Sequence, residues 1–130
     1  MDATREGGLL AWQFRGYPKT HRDRRNLLAH AGTEPLFLLG TLALVAFPFF
    51  GVWLLAFALP AVLLPVIVQG RTHRLEETKA APFRGPGDFA IRLLVEQWVT
   101  FPRFVLSGEF ARRWREAAPG RDPEGVRRGG

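Results

Sequence analysis

Polar and apolar positions divide this chain into three parts. Between residues 35 and 70 there is no charged side chain at all, whereas the segments on either side are crowded with Arg. An apolar run of about 18 residues or more reads as a membrane span, and a single straight helix over 35–70 would be about 54 Å long against a hydrocarbon core of about 30 Å. The run therefore predicts a hairpin. Pro48, Phe49, Phe50 and Gly51 mark the turn, because Pro removes a helix donor and Gly tolerates unusual backbone angles. The arms become 35–47 and 52–68, both short for full crossings, so two transmembrane arms or a deep re-entrant hairpin both satisfy the pattern. Pro60 and Pro65 kink the second arm on this reading.

The flanks carry shorter patterns. Leu9, Leu10, Trp12 and Phe14 predict a short amphipathic segment that stops near Gly16, Tyr17 and Pro18. Asp23 is a candidate N-cap for a second short helix ending at Gly32, after which Thr33 caps the first membrane arm with Pro35 in its opening turn. Beyond the hairpin, Ile91, Leu94, Val95 and Trp98 recur at helical spacing while Arg92, Glu96 and Gln97 mark another side. Arg92 and Glu96 would be costly at a bilayer centre, so this helix, about 88–106, is expected in the interface, bent or broken at Pro102. A charged helix over 109–118 follows. The expectation is an all-α membrane protein with one domain over 1–118 and a disordered Gly, Pro and Arg tail over 119–130.

Charge placement sharpens the topology. Arg15, Lys19, Arg22, Arg24 and Arg25 precede the hairpin, and Arg71, Arg74, Lys79 and Arg84 follow it. Two basic flanks are what a hairpin with both ends on one side requires, and the Lys and Arg bias places both termini on the cytoplasmic side. The net charge of +6 comes almost wholly from Arg, since Lys19 and Lys79 are the only lysines. Beside an apolar hairpin, such charge favours anionic lipid headgroups over nucleic acid. The four tryptophans, Trp12, Trp53, Trp98 and Trp114, read as interfacial anchors and packing residues. There is no cysteine, which removes disulfides and thiolate metal sites from consideration, and no removable signal peptide is expected.

The chemistry lies in the histidines. His21, His30 and His73 are the only three, and all sit just outside the apolar hairpin. A chain that turns back brings His30 and His73 out on the same side. Imidazole suits iron, zinc, copper or nickel, and two His with one carboxylate and open positions is the pattern of non-haem Fe(II) oxygenases. Glu76 lies three residues after His73, and Asp23 and Asn26 lie seven and four before His30, on its helical face. His21 is nine residues from His30, half a turn out of phase on one unbroken helix. It can join only if the helix begins after it, as an Asp23 cap allows.

The run from Tyr17 through His21, Asn26, His30 and Gly32, then the hairpin, then His73-Arg-Leu-Glu76 and Glu96-Gln-Trp-Val-Thr-Phe-Pro-Arg-Phe, resembles the 2-hydroxy fatty acid dioxygenase-like family of small membrane proteins. The likeness extends over about 12–114. Thr72 stands where members often have Gly, and eukaryotic members carry more membrane segments. The resemblance implies Fe(II)-dependent use of O₂ to shorten a 2-hydroxy fatty acid or related lipid by one carbon, with lipid metabolism and fatty acid alpha-oxidation as the setting. It implies His21, His30 and His73 as metal ligands, Glu76 as the nearest carboxylate, and catalytic roles for Glu76, Asn26 and Tyr17. On this reading Arg22, Arg25 and Arg74, with Arg24 beside them, are the candidates to hold the substrate carboxylate. The acyl tail stays in the bilayer, no nucleic acid is involved, and a homo-oligomer is compatible. The competing expectations are a non-catalytic membrane scaffold or lipid-binding protein and a zinc-dependent lipid hydrolase.

Overall fold

The computed structural model describes residues 5–117, and among these there are helices and turns and no strand. The expected tail over 119–130 lies outside the described residues. The first helix, α1 (Gly8–Gly16), runs into a 3₁₀ turn at Tyr17–Lys19, as the short amphipathic pattern anticipates. Next comes α2 (Arg24–Phe50), which opens on Asp23, whose side chain accepts a hydrogen bond from the Arg25 amide at 2.8 Å. This cap satisfies one of the amides that a helix start leaves without an intrahelical partner.

The structure corrects the expected break at Gly32. Helix α2 continues without interruption through Gly32, Thr33 and Pro35 and ends only at Phe50. Gly32 has no positive φ, and the Thr33 hydroxyl does not cap a new helix but bonds the Ala29 carbonyl one turn back and accepts from Gln69 of the neighbouring helix. Packing against that neighbour, α3 (Leu54–Thr72), outweighs the local stop signals. Pro48 likewise stays inside the last turn of α2, so the reversal falls at 51–53. Gly51 makes it with φ 123°, and the Trp53 indole donates to the Phe50 carbonyl.

Helices α2 and α3 pack antiparallel along a seam of small residues. Gly40, Ala43, Ala58 and Ala61 are buried, and a Cβ added at Gly40 would lie 2.8 Å from the Cβ of Ala61. Close backbone approach of this kind is how apolar helices gain dispersion contacts without large side chains. Both helices are long and apolar enough to cross a membrane by length and composition. Their outer faces and the tip carry exposed large apolar side chains, with Phe49 82% and Val45 71% exposed.

Following a 3₁₀ turn at His73–Leu75, the chain returns through α4 (Pro86–Val95), a π-helical turn at Glu96–Thr100, α5 (Phe101–Leu106) and α6 (Glu109–Glu116). Pro102 does not end this path. It sits in the first turn of α5, directly after the π turn, where a missing amide donor costs least. Tyr17, Leu27, Phe101 and Phe104 form a buried core over the base of the hairpin, with Phe14, Phe110 and Trp114 against it.

Candidate metal centre

Four side chains from four segments converge where the base of the hairpin meets this core. His21 precedes α2, His30 lies two turns into it, His73 follows α3, and Glu96 opens the π turn. One donor atom from each lies within 4.8 Å of all the others. The phase conflict between His21 and His30 is resolved as the Asp23 cap allows. The chain ahead of α2 is not helical in register with it, so His21 folds back and its Nε2 reaches to 3.3 Å from Nε2 of His30. The His73 ring stands 4.7 Å from the His21 ring and 5.0 Å from that of His30, centre to centre.

Backbone carbonyls fix the direction of the imidazoles. Nδ1 of His21 lies 3.0 Å from the Tyr17 carbonyl and Nδ1 of His30 lies 2.9 Å from that of Asn26. A carbonyl oxygen only accepts, so each neutral ring carries its hydrogen on Nδ1 and turns the Nε2 lone pair inward. The Glu96 carboxylate faces the same point, with Oε1 3.2 Å from His30 Nε2 and 3.8 Å from His21 Nε2. Three acceptors thus crowd one small volume. Acceptors facing one another in a buried site repel unless a positive charge sits among them.

Burial, reinforced by the neighbouring imidazoles His30 and His73, holds the His21 pKa well below its ordinary value, so the His21 ring is a poor carrier of that charge. Burial alone would raise the Glu96 pKa. Positive charge beside it at His30 and His73, where those rings are protonated, and the hydrogen bond from the Tyr17 hydroxyl outweigh burial and hold it below the ordinary carboxylate value. Tyr17 is pushed well above the usual phenol value, first by burial and then by the charge of Glu96, so it remains a donor. Neighbouring ligands on one ion at bonds of about 2.0–2.2 Å stand roughly 3 Å apart. The spacings among His21, His30 and Glu96 fit that requirement, and three imidazoles with a carboxylate suit iron or zinc.

The surrounding residues hold this arrangement. Tyr17 stacks on His21 with centroids 3.6 Å apart and donates to Glu96 Oε1 at 3.1 Å. Asn26 supplies the carbonyl under His30, while its amide donates to Glu76 at 2.9 Å and its side-chain oxygen accepts from Thr72 at 2.8 Å. Thr72 thereby ties the end of α3, just before His73, to α2. Gln69 and Gln97 exchange amide hydrogen bonds of 3.2 and 2.7 Å, linking α3 to the π turn.

The structure brings His21, His30, His73, Tyr17 and Asn26 together, but it gives Glu76 a different place. Its carboxylate accepts from the backbone amides of Arg22 and Asp23, at 2.8 and 3.0 Å from one oxygen, and also receives Asn26. Glu76 therefore pins the loop that carries His21, and Glu96 is the carboxylate of the cluster. Arg22, Arg25 and Arg74 do not line the cleft that reaches the cluster. All three are exposed; Arg22 and Arg25 border a second cleft, and Arg25 pairs with Asp23. The cleft that reaches His21, His73 and Glu96 has a volume of about 500 Å³ and is bordered by Lys19, Lys79 and Arg92.

Glu96 carried a signal in the sequence. Together with Arg92 and Gln97 it forms the polar side of an otherwise apolar helix, and that side turns inward, with Arg92 and Gln97 buried. Comparison of the chain with protein-family models, curated proteins and solved structures finds no match in any of the three.

Proposed function

We propose that this protein is a membrane-embedded, iron-dependent dioxygenase that acts on a 2-hydroxy fatty acid or a related lipid and shortens it by one carbon. The observation that carries the reading is the meeting of three imidazoles and one carboxylate, with one possible ligand atom of each within 4.8 Å of the others. The resemblance around Tyr17, His21, Asn26, His30 and His73 supplies the reaction class. Membrane residence is supported by two apolar helices of sufficient length and by exposed Phe49, Phe50, Val52 and Trp53 at the hairpin tip, which water would penalise. Basic residues on both flanks favour both termini on the cytoplasmic side.

His21, His30, His73 and Glu96 would hold the metal. Bound Fe(II) supplies Lewis acidity and one-electron chemistry toward O₂. Tyr17 keeps Glu96 in place by donating to it, and the carbonyls of Tyr17 and Asn26 fix the two imidazoles. The core of Leu27, Phe101 and Phe104 keeps water from one side of the site.

Metal analysis of protein purified in mild detergent, followed by turnover of a 2-hydroxy fatty acid under O₂, tests the reading. Stoichiometric iron and a product one carbon shorter are expected. Zinc with hydrolysis of a lipid ester would replace it with the hydrolase reading, and absence of any bound metal would leave a lipid-binding scaffold. Single cysteines at Thr4, Thr78 and Gly125 are expected to label alike with an impermeant thiol reagent in intact cells. Opposite labelling of Thr4 and Thr78 would overturn the membrane hairpin.

A further inference from the structure

The 500 Å³ cleft beside the cluster lies between α1, the end of α3, the 78–83 loop and α4. Its apolar lining includes Val66 of the hairpin and Phe89 and Leu93 of α4. It also carries Lys19 and Lys79, the only two lysines of a chain whose other cations are all Arg. Lys19 closes the turn that starts at Tyr17 and stands two residues before His21. The Lys79 ammonium is already positioned, donating to the carbonyls of Arg74 and Glu76 at 3.0 and 2.8 Å. An ammonium has three donors, so one remains for a ligand. Arg92, the third cation on the wall, is committed to the carbonyls of Ala81 and Pro82 and to Asp88.

We infer that this cleft binds a single-chain acyl carboxylate, with its charged end held between Lys19 and Lys79 and its chain laid along Val66, Phe89 and Leu93 toward the apolar hairpin. The inference deepens the proposed function by assigning the residues that select the substrate, and it rests on that reading for the placement of the carboxylate beside the cluster. Carboxylate recognition passes from the arginines to the two lysines because of where the cleft opens. Two flexible point charges take a carboxylate without demanding the planar, two-pronged geometry of a guanidinium.

Trp12 lines the cleft and gives a readout that needs no turnover. Full-length protein in detergent with excess EDTA is titrated with a bromine-labelled long-chain fatty acid, and tryptophan quenching is followed. Saturable quenching is expected, most of it lost in Trp12→Phe. The paired Lys19→Ala, Lys79→Ala variant should bind about tenfold or more weakly, as expected for lost charge-assisted hydrogen bonds, and Lys→Arg at both positions should restore much of the affinity. The methyl ester of the same acid should show no dependence on the lysines. Equal binding of acid and ester, or no change in the lysine variant while its circular dichroism matches the parent, would overturn the inference. Because EDTA removes metal, the two readings fail separately. Lysine-dependent binding in a protein that never retains metal would overturn only the dioxygenase proposal, and metal retention without lysine dependence would overturn only the carboxylate clamp.

Discussion

The two halves of the hairpin are held together in opposite ways. In the half near the tip, α2 and α3 meet through Gly40, Ala43, Ala58 and Ala61, with no polar side chain needed and large apolar groups turned outward. In the half near the base the same two helices are joined by hydrogen bonds, Thr33 to Gln69 and Asn26 to Thr72, and then by the converging histidines. The tip is a close-packed seam tolerant of apolar exchange on its outer face. The base is a polar network whose paired donors and acceptors have set directions, so a single isosteric change there alters chemistry more than shape.

The sharpest way to break this contrast is to remove one donor atom of the cluster. His30→Ala or Glu96→Gln should weaken metal binding by more than about 100-fold, since outer partners alone are typically worth about 10–100-fold. Helix content by circular dichroism should stay near the parent, because the seam is untouched. Retention of full metal content by Glu96→Gln, measured by elemental analysis, would remove Glu96 from the cluster's ligands.

The converse change strikes the seam. Gly40→Val places branched carbons where even a single Cβ would lie 2.8 Å from Ala61. A loss of about 1–3 kcal/mol is expected from overpacking, read as a lower unfolding midpoint in detergent. Metal affinity should fall with it, because α3 carries His73 to the base.

Glu76→Gln separates the two carboxylates. The amide keeps the shape but presents one acceptor and one unwanted donor to the Arg22 and Asp23 amides. A stability loss of about 1–3 kcal/mol is expected from the disturbed buried bonds, with metal stoichiometry retained. Loss of metal in Glu76→Gln alongside retention in Glu96→Gln would reverse the assignment.

Tyr17→Phe is the smallest of the four. It preserves the stack on His21 and removes only the hydrogen bond to Glu96, so metal affinity should drop by about tenfold, the low end for an outer partner. A competition titration with a coloured chelator measures it, and an unchanged constant would make Tyr17 a packing residue only.

The sequence determined the features that depend on composition and near-neighbour spacing. The uncharged run over 35–70 required a reversal, Asp23 set the start of α2, and nine residues between His21 and His30 meant that they meet only across that start. The first is a property of composition over the whole run and the other two of a few helical turns, and they survive folding because they do not depend on which helices dock. Tertiary structure decided the rest. Helix α2 runs through Gly32 and Pro35 because the packed face of α3 supports it there, against local propensity. Choosing between Glu76 and Glu96 needed the placement of α4 and the π turn beside α1 and α2, twenty residues along the chain from the nearer candidate. The same packing put the two lysines, and not the arginines of the 22–25 run, on the cleft. Residues that meet only because helices dock leave no periodicity to read, since the distance between them is fixed by packed surfaces and not by the number of residues that separates them.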